Sequence, residues 1–387
     1  MEKLKQKNKS TGVRKMRKVS IPVKLFLLLN TLAVIPLLIS YLAAYVPPDV
    51  FWPVAFIGLA YPILVIINLL FVIFWVILVR KYFIVSFLAI ALGWPHLLTH
   101  IRFNSREDLE HKHPKIKVMS YNVRLFDLYN WKDSKSRVTR DKIFDLINAE
   151  APDIICFQEF YKGDKRHFKV MDTLLSFQQA KYYHVSYIRN KKGMTPFGIA
   201  IFSRFPIINN KAVTSHTSEY NFCIYSDVLI GADTVRVLNT HLESIRLGRE
   251  DYLFVSDLAS NKTENHSISK GSLKIFGKMR TAYSKRAEQV RAVRSEIEKS
   301  PYPVILCGDF NDTPSSYAYH MVAQKLKDSF VDAGLGIGKS YSGILPAYRI
   351  DYIFHDTAFS AYQFRTIKAE YSDHYPVTTL LMRNHPR

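Results

Sequence analysis

Cysteine is scarce in this chain, three in 387 residues, and no two of them form a Cys-x-x-Cys or Cys/His cluster of the kind that holds zinc. Cys156, Cys223 and Cys307 each sit in an apolar, strand-like run, so they read as small buried hydrophobes and not as disulfide partners. The soluble part has no internal repeat and no low-complexity tract, which excludes a solenoid or a disordered tether. Charge is nearly missing from Leu25 to Thr99, where Asp49, Arg80 and Lys81 stand alone. That stretch cannot be a water-soluble domain, and its lack of an intramembrane ion pair argues for an anchor over a transporter or sensor.

What the stretch does contain is three hydrophobic runs, at 25–46, 51–79 and 82–99. A bilayer core takes about 20 apolar residues, so the first two are long enough and the third is marginal. Residues 1–20 carry eight Lys and Arg against Glu2, a basic tail expected on the cytoplasmic side. The Arg80-Lys81 turn should share that side and the Pro47-Pro48-Asp49-Val50 turn should lie opposite. Three crossings then put the remainder outside the cytoplasm. Were the third run only interfacial, as Gly93-Trp94-Pro95 and the basic residues after it would allow, the remainder would be cytoplasmic. The expected organisation is a tail (1–20), a helical transmembrane anchor (21–103) and a soluble domain (104–387).

The soluble domain is basic, with 41 Lys and Arg against 31 Asp and Glu from residue 105 onward, which suits a phosphorylated substrate or an anionic surface. Its recurrent pattern is an apolar strand ending in polar residues. Ile116–Tyr121 ends at Asn122, Ile154–Phe157 at Gln158-Glu159, Val235–Leu238 at Asn239-Thr240-His241, and Pro303–Cys307 at Gly308-Asp309-Phe310-Asn311. Further strands are expected at Gly198–Ser203, Ile224–Ile230, Arg349–Phe354 and Val377–Met382, with helices at about 135–150, 284–299 and 315–325. Residues 244–285 read as a polar insertion. From Lys270 to Arg286 it has no acid, so the 270–286 run is a candidate for contact with anionic lipid or a nucleic-acid backbone.

Strand tips are where α/β enzymes mount their chemistry, and the tip residues here suit phosphate-ester hydrolysis. Oxygen ligands favour a hard cation, a role for Asn122 and Glu159 with Asp373 as a further ligand. His374 can contact the phosphoryl group, with Asp351 fixing its tautomer. Asp309 would orient or deprotonate the attacking water, while Asn311 and His241 would donate hydrogen bonds to the developing charge.

Six segments carry a resemblance in order: Ser120–Arg124, Gln158-Glu159, Asn239–Leu242, Gly308–Asn311, Arg349–Ile353 and Ser372–Pro376. Together, over about residues 116–382, they resemble the motifs of the endonuclease/exonuclease/phosphatase superfamily, in a bacterial membrane-anchored form. The resemblance implies a DNase I-like four-layer α-β-β-α sandwich following the transmembrane region, and Mg²⁺- or Mn²⁺-dependent phosphoester hydrolysis at the residues just named. The charge distribution and three crossings set the expected location, a bacterial inner membrane with the catalytic domain extracytoplasmic. The substrate could be a lipid head group, a nucleic acid or a small phosphoester, and no obligate protein partner is implied. Arg124 stands where some nucleic-acid-cleaving relatives carry an acid, which disfavours an abasic-site endonuclease. The alternative is a catalytically idle scaffold at the membrane, whose usual sign would be loss of a site carboxylate or of the terminal histidine; all are present.

Overall fold

Alternation along each strand decides which residues face which layer. In β1 (Lys115–Asn122), Ile116 and Val118 point one way, and Met119 and Tyr121 the other. In β8 (Val304–Asp309), Ile305 and Cys307 are separated in the same manner from Val304 and Leu306. The first set of each pair meets in a common core between two sheets, together with Ile154, Cys156, Ile224, Val237 and Ile353. The second sets are covered from outside by helices.

The computed structural model describes residues 20–106, 114–131, 136–163, 168–177, 180–190, 193–214, 222–246, 248, 250–251, 265–343 and 348–384. The basic tail as far as residue 19 and the side chain of Lys270 lie outside these. One sheet has the order β11-β12-β1-β2-β4-β3, from β2 (Ile154–Tyr161), β3 (Tyr182–Asn190), β4 (Gly193–Ser203), β11 (Phe359–Thr366) and β12 (Val377–Arg383). The other runs β5-β6-β7-β8-β10-β9, from β5 (Ile207–Val213), β6 (Cys223–Ile230), β7 (Asp233–His241), β9 (Lys327–Asp328) and β10 (Asp351–His355). Each sheet has one parallel pair at its centre, β1 with β2 and β7 with β8, so both pairs end at the same edge of the sandwich.

Helix α6 (Ser136–Glu150) covers the first sheet through Ile143, Phe144 and Ile147, and the short α7 (Met171–Ser176) adds Leu174 to the same cluster. The helix that covers the second sheet, α8 (Asn265–Glu298), presents Ala287, Val290, Val293 and Ile297, as its sequence pattern predicts. It begins nearly twenty residues before the predicted start, so much of the expected 244–285 insertion is helical. The four-layer sandwich is thus present. All three cysteines are free and buried.

At the outer edge of the first sheet, Glu150 joins Lys117 at 2.7 Å and Arg365 at 2.6 Å. Burial opposes its ionisation, yet the two cations outweigh this and hold its carboxyl below the ordinary range. A depressed carboxyl contributes stability above its unfolded-state value and loses it as the pH falls through the folded value. Glu150→Gln should therefore lower the melting temperature at neutral pH and converge with the parent in strong acid, as calorimetry at both pH values would record.

The apolar N-terminal region is more broken than its hydropathy suggests. Helix α1 (Ile21–Tyr41) continues as a 3-10 turn, and Ile21–Ala44 is, among the described residues, the one segment long and apolar enough to cross a membrane unaided. The second hydrophobic run divides into α2 (Pro48–Leu59) and α3 (Tyr61–Ile77), bent by 47° just before Pro62. The third divides into α4 (Phe83–Leu92) and α5 (Trp94–His100), bent by 68° at Gly93 and Pro95. Counting each bent pair as one span brings the total to three. Asn30, Asn68 and Ser86 form a buried knot that ties α1, α3 and α4: the Ser86 hydroxyl reaches Asn30 Oδ1 at 3.0 Å and Asn68 Oδ1 at 2.8 Å. These asparagines thus serve helix contact.

Candidate active site

The inward parity that gives Val118, Cys156, Val237, Ile305 and Ile353 to the core continues to the strand ends, where it presents Asn122, Gln158, His241, Asp309 and Asp351. Polar groups therefore gather between the sheets at the edge where both parallel pairs end. Beneath them Gln158 Nε2 donates to Asn239 Oδ1 at 2.7 Å, and Asn239 Nδ2 donates to the carbonyls of Phe157 and Ala200, both at 2.9 Å. This cross-sheet layer fixes the spacing of the two sheets under the site.

Asp309 Oδ2 is the hub. It accepts from Asn122 Nδ2 at 3.0 Å and from Asn311 Nδ2 at 3.3 Å, and the Nε2 atoms of His374 and His241 each stand 3.6 Å away. The other oxygen, Oδ1, accepts the Asn311 amide at 2.8 Å. His374 Nδ1 faces Asp351 Oδ2 at 2.9 Å, and Asp351's own amide is held by the Ser340 hydroxyl at 3.0 Å. Glu159 Oε1 lies 3.9 Å from His241 Nε2. Asp373 is tied in less directly: Ser372 Oγ stands 2.8 Å from the Asn122 carbonyl oxygen, to which it donates, and 3.2 Å from an Asp373 oxygen, and Asp373 also faces Arg124 at 3.5 Å. Seven of the eight residues expected from the sequence converge directly, and Asp373 joins through Ser372 and Arg124.

Local conformation bears the cost of this convergence. Glu159 and Asn311 adopt left-handed backbone at φ 49° and 51°, and Arg124 to Asp127 form a left-handed run. Such residues persist where surrounding structure over-determines them, at a cost of about 1–3 kcal/mol each. A Cβ on Gly308 would meet the Thr240 carbonyl oxygen at 2.2 Å, so glycine lets β8 close on β7 beside Asp309.

Burial is the main reason the Asp309 carboxyl is held above its usual range; Asp351 adds to the effect, and His374 and His241 oppose it. For His374 burial works against the charged form, yet the carboxylates of Asp351 and Asp309 prevail and raise it well above a free imidazole. The group is biased towards retaining its protons. Asp309, Asp351 and His374 each offer a ligand atom within 4.8 Å of the others, and Asp351 Oδ1 is buried with no hydrogen-bond partner. Converging carboxylates with an orphaned oxygen fit a hard divalent cation.

Several supporting residues carried no signal in the strand pattern. Arg286 of α8 is buried and donates to the Asn311 carbonyl at 2.6 Å while pairing with Asp312 at 2.7 Å. It lay within the basic run proposed for lipid contact, but it points inward. Lys274, Lys278 and Lys285 have Glu250, Asp251 and Glu243 as partners, so the run carries less uncompensated charge than its sequence suggests. Beside Glu159 and His241 opens a cavity of about 530 Å³, walled by Leu125, Ile188, Phe197, Phe222 and Leu242.

Residues 119–374 match the Endonuclease/Exonuclease/phosphatase family, and the match runs from the first motif strand to His374. The chain belongs to this family. Residues 23–100 of this family member match a domain of unknown function (DUF8431). No curated protein matches the chain. Among solved structures it is similar to the catalytic domain of human Nocturnin with bound sulfate, at 20% identity over 72% of this chain and 96% of that one, with a TM-score of 0.49. An endonuclease/exonuclease/phosphatase family protein from Bacteroides thetaiotaomicron is 16% identical, covers 71% and 100%, and gives 0.47. A mannosyl-6-phosphatase from the same species is 17% identical, covers 69% and 99%, and gives 0.44. At such identities the likeness is one of fold.

Proposed function

We propose that the chain is a membrane-anchored, divalent-metal-dependent phosphoesterase. The observation that carries the reading is the hub at Asp309 Oδ2, with two imidazoles and two amides around one buried carboxylate and Asp351 behind His374. In this reading Asp309 aligns the attacking water and takes its proton. Asn311 and His241 donate to the phosphoryl oxygens as charge builds, and Asp351 keeps His374 aimed at them. Asn122, Glu159 and Asp373 would hold Mg²⁺ or Mn²⁺. The bound cation supplies Lewis-acid neutralisation of phosphoryl charge. The cavity beside Glu159, with Leu125, Ile188, Phe197 and Phe222 on one part of its wall and Glu243, Arg246 and Gln289 on another, suits a substrate with an apolar or ring portion and polar groups next to its phosphate.

Residues 21–103 serve as the anchor, the tail 1–20 precedes it, and 104–387 form the catalytic domain. The extracytoplasmic placement has support in the helix directions. The Asp49 carboxylate of α2 pairs with Arg291 at 2.6 Å, and α5 also contacts the sandwich. Phe26, near the start of α1, packs on Phe74, near the end of α3, at the opposite end of the bundle. Lys24 and the Arg80-Lys81 turn therefore lie away from the catalytic domain, and the positive-inside rule assigns that end to the cytoplasm. A bacterial inner membrane accommodates this arrangement.

The test is hydrolysis by the full chain in nanodiscs, with Mg²⁺, Mn²⁺ or EDTA. The panel would hold a chromogenic diester, a sugar phosphate, plasmid DNA, RNA, and sphingomyelin and phosphoinositide vesicles. Turnover that EDTA abolishes and Mg²⁺ restores is the expected result. Folded protein that is silent on the whole panel would move the reading to an idle scaffold.

A further inference from the structure

The helix that ends the anchor touches the site's own loops. On α5, His96 and His100 are one turn apart and share a face. Their Nε2 atoms converge on one hydroxyl, Ser315 Oγ, at 3.0 and 2.9 Å. Ser315 is fully buried, stands four residues beyond Asn311 in the loop that leaves β8, and has no other hydroxyl partner among the described residues. From the same turn of α5 the Thr99 carbonyl accepts Arg349 Nη2 at 2.7 Å. Arg349 is also buried and lies two residues before Asp351. Tyr61 closes the arrangement, its ring 4.7 Å from each imidazole.

The catalytic domain thus leaves a buried hydroxyl and a guanidinium N–H for the anchor to satisfy, and both belong to segments that carry hub residues. A buried polar group left without its partner is costly, so docking of α5 adds to the hold that Arg286 already has on the Ser315 loop and Asp328 on Arg349. We infer that His96 and His100 are positioning residues for hydrolysis, acting through Ser315 on the loop that carries Asp309 and Asn311. The inference rests on the proposed function, because it takes that loop to be catalytic. The anchor is then part of the catalytic scaffold as well as a tether.

The experiment uses the full chain in nanodiscs and has two readouts. Hydrogen exchange of the 309–316 amides reads the clamp without turnover, and steady-state kinetics on the best substrate of the panel reads its consequence. In H96A/H100A, exchange should rise and kcat should fall by about 10²-fold, the loss typical of an ångström of misplacement, with KM little changed. His100→Gln, which keeps a nitrogen donor, should recover most of the rate lost by His100→Ala. His100→Ala and Ser315→Ala combined should cost no more than one of them alone. Phe26→Leu, remote on α1, should leave both readouts at the parent level.

Unchanged exchange in H96A/H100A overturns the inference whatever the activity. Raised exchange with an unchanged kcat overturns the positioning role, as does a rate loss that merely follows a loss of folded protein in the melting curve. A folded parent that hydrolyses nothing while exchange still rises in the variant refutes the proposed function and upholds the physical clamp, so the two failures are distinguishable.

Discussion

Asp309→Asn is expected to lower kcat by about 10³-fold while leaving a folded, membrane-bound protein. A positioned general base is worth roughly 10²–10⁴-fold, and both imidazoles and both amides of the hub face the one oxygen Asp309 Oδ2 within 3.6 Å. Asparagine has nearly the same shape, so the core below it, Ile305 and Cys307, is undisturbed. Its amide cannot take a proton from water, and with either orientation one of its two terminal atoms is mismatched. Oriented as a donor towards Asn122 and Asn311, it opposes two amide donors; oriented the other way, it opposes the Asn311 backbone N–H. Single-turnover rates on the best substrate, beside His374→Ala, check this. Retention of more than about a tenth of the parental rate in both variants would remove Asp309 and His374 from the proposed chemistry, given the scale of acid–base effects.

Arg349→Leu should be the most damaging change to stability, by about 3–5 kcal/mol, because breaking a buried pair leaves an uncompensated charge. Its partner Asp328 is buried 2.8 Å away and also accepts from the Tyr319 hydroxyl at 2.8 Å and the Phe330 amide at 2.9 Å. The guanidinium lies over the rings of Phe330 and Tyr352, 4.4 and 4.7 Å from their centroids, so packing is lost along with charge. Thermal melting of the full chain would measure the loss. The combination of Arg349→Leu with Asp328→Asn should recover part of it, since it removes the orphaned carboxylate. A single variant as stable as the parent would mean that water reaches Asp328.

The sequence makes the site legible for a specific physical reason. A strand's inward parity persists past its last apolar residue, so Val118 and Ser120 predict where Asn122 points, and Ile305 and Cys307 do the same for Asp309. Four strands were not foreseen. In β5 a run such as Asn209-Asn210-Lys211 lies at a sheet edge with its side chains exposed, so it has no apolar alternation to read. The strand β3 is also an edge, β9 has two residues, and a bulge between Tyr362 and Arg365 breaks the alternation of β11, so that Phe359, Ala361 and Phe364 face the core. The early start of α8 was hidden by Gly271 and Gly277 and by a polar face. Docking of the anchor is not a periodic property at all. Nothing in Trp94–His100 distinguishes histidines that grip a distant serine from histidines in water, and the breaks at Ala60 and Gly93 become meaningful only once the surface they fit is known.

The first sheet is closed by its last strand. Strand β12 lies between β11 and β1, with Lys115 opposite Met382 and Ser120 opposite Val377. During synthesis at roughly 5–20 residues per second, the apolar N-terminal helices and the whole second sheet have emerged before that seat can be filled. Asp373 and His374 arrive immediately ahead of β12. A nascent or prematurely stopped chain that lacks this segment therefore has an Asp309 that faces His241 but not His374, so the proposed site is complete only once β12 has taken its place beside β1.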